Sequence, residues 1–131
     1  MDTVTAPTSV FEDILLRLNQ EGEYTTTVLT SEDGLPIAAA PMPPRYDPDT
    51  LAAMVAMVRD FIQQTQERLG LDPVDEVSIV VGDRSRLICR YFCAAERSFV
   101  LAVVAPPDVS YRRLTTRAIR DLKQAWGADG K

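Results

Sequence analysis

Apolar and polar positions along this chain repeat with two different periods, and each change of period marks a new element. Val10, Phe11, Ile14, Leu15 and Leu18 recur at helical spacing. Ser9 and Glu12 stand in front of them at the spacing of a capping box. These residues predict a first helix over 10–19 that stops near Gly22. Residues 24–30 are rich in β-branched side chains and read as a strand. Asp33-Gly34 is a turn signal, and residues 35–40 return as the second strand of a hairpin. Pro36 has no N–H for a ladder, which puts this second strand at a sheet edge.

Pro41, Pro43, Pro44 and Pro48 make the next stretch a stiff connector. A second helix is predicted over 49–69, with Gly70 as its left-handed stop. Three further strands are expected at 76–81, 86–94 and 99–105, separated by the turns Gly82-Asp83-Arg84-Ser85 and Ala95-Glu96-Arg97-Ser98. The last strand, FVLAVVA, has no polar face, which makes it central and covered on both sides. Pro106 and Pro107 end it, and a third helix follows over 111–126. The order α-ββ-α-βββ-α predicts an α/β (α+β) fold: one five-stranded antiparallel sheet with helices on both faces. Residues 10–126 form its single domain, with 1–9 expected as a flexible N-terminus and 127–131 as a loose tail.

Residues 51–58 of the second helix, LAAMVAMV, are apolar without a break. A helix that only covers a sheet needs one apolar stripe, so this one offers a second surface. At about 100° per residue, Leu51, Val55, Val58, Ile62 and Leu69 form the face expected on the sheet. Ala53, Ala56, Met57, Asp60 and Gln64 lie opposite, with Phe61 beside them. Alanines permit close approach of another chain, and methionine adapts to its shape.

Charge and chemistry narrow the function classes. The chain has 131 residues, no histidine and a net charge of −5, a balance that repels nucleic acid. Arg113, Arg117 and Arg120, with Arg112 and Lys123 beside them, give the third helix a basic face suited to solvent or to an acidic protein surface. Leu114, Ala118, Leu122 and Trp126 point into the core. Cys89 and Cys93 stand about 13 Å apart along one strand, too far for a disulfide, and are expected as small buried hydrophobes. Two thiols without histidine make no zinc site. Without histidine there is no Ser-His or Cys-His pair either. A phosphate loop is absent from the sequence. The loop carboxylates Glu32, Asp33, Asp47 and Asp49 have turns or caps as sufficient reason. No catalytic, cofactor-binding or metal-ligating residue is expected. No run reaches the ~18 apolar residues of a membrane span. The first residues, MDTVTAPTS, lack the pattern of a signal peptide, so the expected location is cytoplasmic.

The helix FEDILLRL before a threonine-rich strand, the hairpin SEDGLPIAAA, the helix start DTLAAMVAMV and an aliphatic fifth strand ending in Pro-Pro-Asp occur here in one order. In that combination the chain, from about Val10 to Trp126, resembles the Roadblock/dynein-light-chain family, in particular its bacterial and archaeal MglB-like members. The resemblance implies the Roadblock (profilin-like) architecture. It also implies a homodimer in which second helices pair antiparallel and third strands join edge to edge. As partner it implies a Ras-like small GTPase. For the MglB type it implies faster GTP hydrolysis through repositioning of the GTPase's own groups, with no donated arginine. The expected dimer contacts are then Met54, Met57, Phe61, Val77 and Ile79. The expected contacts to the GTPase are Ala53, Ala56, Met57, Asp60 and Gln64. Two rivals stand beside this reading: a dimeric adaptor without effect on GTP turnover, and a small-ligand sensor. A sensor needs a cavity lined by mixed groups, whereas these strands are almost uniformly aliphatic.

Overall fold

In the computed structural model, which describes residues 6–41 and 45–129, the elements follow the predicted order. They are α1 (Ala6–Gly22), β1 (Thr26–Ser31), β2 (Pro36–Ala40), α2 (Pro48–Leu69), β3 (Glu76–Val80), β4 (Arg86–Ala94), β5 (Arg97–Ala105) and α3 (Arg112–Asp129). The strands make one antiparallel sheet in the order β2-β1-β5-β4-β3. As expected, β5 is central, and the strand that opens with Pro36 lies at an edge.

The alternation of side chains across β5 builds two cores. On one face Phe99, Leu101, Val103 and Ala105 meet Leu29, Ile88 and the stripes of α1 (Phe11, Leu15, Leu18) and α3 (Ala118, Leu122). Fully buried side chains of this size each contribute about 1.5–3 kcal/mol. Trp126 closes the end of this core, its ring 4.6 Å from that of Phe99 and 5.3 Å from that of Phe11. On the other face Val100, Ala102 and Cys89 pack under Val55 of α2, with Leu51, Val77, Leu87 and Tyr91 around them.

Two helix boundaries differ from expectation. α1 starts at Ala6, so Ser9 lies inside the helix and its spacing to Glu12 is not the cap. Pro7 is compatible with that start, because first-turn N–H groups have no helical acceptor in any case. α3 continues to Asp129, so Gly127 does not stop it and the expected tail supplies another turn. Residues 1–5, 42–44 and 130–131 lie outside the described residues, and with them part of the expected N-terminal arm, Pro43 and Pro44. Among the described residues no helix is long and apolar enough to cross a membrane.

α2 begins as its sequence directs. Asp47 caps it: one carboxylate oxygen accepts the Asp49 N–H at 3.2 Å, and the other accepts the Thr50 hydroxyl at 2.8 Å. Pro48 occupies the first turn, and Gly70 ends the helix at φ 69°.

Candidate functional site

α2 has three distinct sides. The first, Leu51, Val55, Val58 and Ile62, faces the sheet and is buried or half-buried. Leu69, expected with them, is exposed, because the helix runs past the covered part of the sheet before it ends. The second side is turned to the β1–β2 hairpin. Ala52 is fully buried there, and a methyl group on Gly34 would lie 3.1 Å from the Ala56 Cβ. Arg59 adds an ion pair to Glu32 at 3.6 Å. Ala56 therefore departs from its expected place on the free face: its small side chain makes room for the hairpin turn. Gly34 itself has φ 88°, a conformation that glycine adopts without strain.

The third side is open. Met54, Met57 and Phe61 are 56%, 71% and 67% exposed and follow one another at helical spacing. Ala53, Asp60 and Gln64 are exposed beside them. A run of large apolar side chains this exposed is unusual for a surface that stays in water.

β3 continues that apolar surface at the free edge of the sheet. Its register with β4, Val77 opposite Cys89 and Ile79 opposite Leu87, puts Val77 and Ile79 on the α2 face. Val77 is half-buried and Ile79 is 39% exposed. Val80 and Val81 are exposed as well. Natural edge strands are blunted by lysine, proline or bulges. The sequence EVSIV has none of the first two, and its pairing with β4 is regular. The opposite edge, β2, is blunted by Pro36 and an irregularity in its register. One edge of the sheet is thus protected and the other open.

Leu69, expected on the sheet, and Leu71, Val80 and Val81, for which no exposed place was expected, are exposed at the two ends of this surface. A usable signal was present: EVSIVV breaks the period of two, so apolar residues must appear on both faces of an edge strand. Between the start of α2 and the β3–β4 turn lies an open cavity of about 440 Å³, lined chiefly by Tyr46, Leu51, Met54, Val81 and Leu87.

A second feature, not foreseen, is a charged cluster on the opposite face of the sheet. Arg90 of β4 is 9% exposed. Its Nη1 donates to the Arg112 carbonyl at 3.2 Å, the Thr115 hydroxyl at 2.9 Å and the Thr116 hydroxyl at 2.7 Å. Glu76 of β3 lies 3.7 Å from Arg90 Nε and 3.2 Å from Arg112 Nη1. The Tyr111 hydroxyl donates to the same carboxylate, and this bond holds the phenol above its usual pKa. Arg112 is thereby tied to the fold. Arg117 is paired with Glu21 of α1.

Cys89 is buried, and burial pushes its thiol up to about 11. Cys93 is exposed, contrary to expectation. Next to it α2 leaves an open cavity of about 310 Å³ that Arg59, Ile62 and Gln63 line with Tyr91 and Cys93.

The sequence model of the Roadblock/LC7 domain matches residues 10–105. Among solved structures, Myxococcus xanthus MglB superposes with a TM-score of 0.81 at 15% identity, covering 98% of this chain and 96% of that one. The gliding protein MglB of Thermus thermophilus gives 0.76 at 22% identity, covering 96% and 95%. An MglB described as having a tetrameric arrangement gives 0.77 at 23% identity, covering 96% and 94%. A search of curated protein sequences gives no match.

Proposed function

Since the chain belongs to the Roadblock/LC7 domain family, we propose that it is a homodimeric regulatory or scaffold protein that binds a Ras-like small GTPase and stimulates its GTP hydrolysis. The observation that carries this reading is the open side of α2 lying beside an unblunted β3 edge. A two-fold axis perpendicular to the sheet at that edge pairs β3 antiparallel with its symmetry mate. The same axis lays Met54, Met57 and Phe61 against the second copy of α2. Val77 and Ile79 then fall under the joined helices. The tetrameric arrangement described for a similar MglB supports self-association in this fold.

The GTPase contact belongs on the outward stripe of α2. Ala53, Met57, Asp60 and Gln64 are exposed there, and in a dimer two copies of the stripe form one broad surface. Ala56 contributes by keeping the helix close to the hairpin. Arg112 and Arg113 lie on α3, which packs on the sheet face opposite this stripe, so neither is placed to enter a nucleotide site there. Stimulation would therefore act by repositioning groups of the GTPase.

The test is GTP turnover by a Ras-like GTPase alone and with this chain, together with co-elution of the two in each nucleotide state. Co-elution that depends on the nucleotide, with faster hydrolysis, is the expected result. Co-elution without change in turnover would make the protein an adaptor. Absence of any complex would overturn the GTPase assignment.

A further inference from the structure

We propose that the groove between α3 and the β3–β4 half of the sheet docks an acidic peptide segment of a partner protein, one that carries an aromatic or aliphatic side chain beside its carboxylates. The groove has a volume of about 320 Å³, and its lining includes Arg90, Phe92, Thr116, Ile119, Arg120 and Lys123. Phe92 and Ile119 are half-buried and give it an apolar floor. Three cations surround that floor, and Asp75, an exposed residue, is the one acid in the lining.

Charge distribution points to the occupant. α3 carries five basic and two acidic side chains, while the chain as a whole is at −5. The positive charge is thus concentrated on one element. Arg112 and Arg117 are already paired, with Glu76 and Glu21. Arg120 and Lys123 face the groove: Arg120 has only a 3.9 Å contact to its neighbour Asp121, and Lys123 has no ion pair among the described residues.

Arg90 adds a charge that cannot move. Three hydrogen bonds to α3 fix its guanidinium. Glu76, shared with Arg112, and Asp75, 4.0 Å from Nη2, offset this charge, so the excess positive charge of the groove comes from Arg120 and Lys123. A cleft with an excess of one sign of charge over an apolar floor concentrates its field on a ligand. A fixed arginine also has no rotamer freedom left to lose on binding. The mixture of fixed cation, flexible cations and apolar floor suits a peptide with both carboxylates and an apolar side chain. An RNA strand would find no run of stacking surfaces beside the charges.

The groove lies on the sheet face opposite α2, so this docking site is separate from the surface of the proposed dimer and GTPase contact. Its failure would leave that reading intact.

The experiment titrates the full chain into a labelled short peptide with phenylalanine flanked by glutamates, read by fluorescence anisotropy. The charge-reversed pair Arg120→Glu/Lys123→Glu should weaken binding about tenfold or more. The pair Arg17→Glu/Arg113→Glu changes net charge equally but lies outside the groove, and should leave Kd within about twofold. In the unaltered protein, amide NMR signals of Arg90, Phe92, Thr116 and Arg120 should shift on titration while those of α2 stay in place. Equal losses in both pairs, or shifts confined to α2, would overturn the proposal. Competition by a single-stranded oligonucleotide at similar concentration would overturn the choice of a peptide.

Discussion

Single side chains decide whether α2 is a surface or merely a lid. Met57 is the most exposed of the large apolar residues on that helix. In the proposed dimer, Met57→Glu buries a charge without a partner, which costs several kcal/mol. We expect it to shift the protein to monomer in sedimentation while its circular dichroism stays unchanged. Ala56→Arg should behave differently, because the added bulk meets the Gly34 turn. It should lower the thermal midpoint in addition to any loss of partner binding. The two thiols give a second residue-scale test. Under native conditions Cys93 should react with a disulfide reagent and Cys89 should not, with both reacting after denaturation. The sign of the pH effect follows from the raised pKa of Cys89. Its ordinary value is 9.0, and burial holds the folded thiol at about 11. Folding is therefore favoured fully below pH 9.0, and this contribution is lost as the pH rises through about 11. Cys89→Ala should remove that part of the alkaline slope in unfolding free energy. The slope due to Tyr91, pushed from 10.0 to about 12 by burial, should remain.

At the scale of elements, two turns carry predictable strain or fit. Ala95 and Glu96 join β4 to β5 with φ of 52° and 64°, both left-handed. A two-residue hairpin turn of this shape favours Asn-Gly. Left-handed backbone costs an ordinary L-residue about 1–2 kcal/mol. Replacing the pair by Asn-Gly should raise the denaturant midpoint without altering the slope of the transition. Gly34→Ala should do the reverse, since it puts an L-residue at φ 88° and places the new methyl 3.1 Å from the Ala56 Cβ. Most elements were legible in the sequence because their signals are local. Asp47 and Gly70 bracket α2, Pro36 marks an edge, and the unbroken FVLAVVA marks the centre of the sheet. What was not legible depends on where elements meet. The role of Ala52 and Ala56 under the hairpin needs the packing of a turn on a helix that is distant in sequence. The Arg90–Glu76–Arg112 cluster joins β3, β4 and α3, and its members are scattered along the sequence. The exposure of Cys93 follows from how far α2 reaches across the sheet, which periodicity does not set.

For the whole molecule, the two sheet faces have different tasks. α1 and α3 seal one face with the larger core, which Trp126 closes at its end. α2 covers only part of the other, and the open remainder coincides with an edge strand that has no lysine or proline and pairs regularly with β4. A contiguous exposed apolar patch rimmed by polar residues marks a protein–protein contact. Two copies would bring the helix stripes together and extend the sheet through β3. The resulting surface would be present only in the dimer, so partner binding should vanish with self-association. The mass of the protein in solution therefore reports on the dimer most directly. Sedimentation equilibrium at micromolar concentration should return twice the chain mass of 14.5 kDa, with Met57→Glu returning the single chain mass. A 14.5 kDa species for the unaltered protein under those conditions would contradict it.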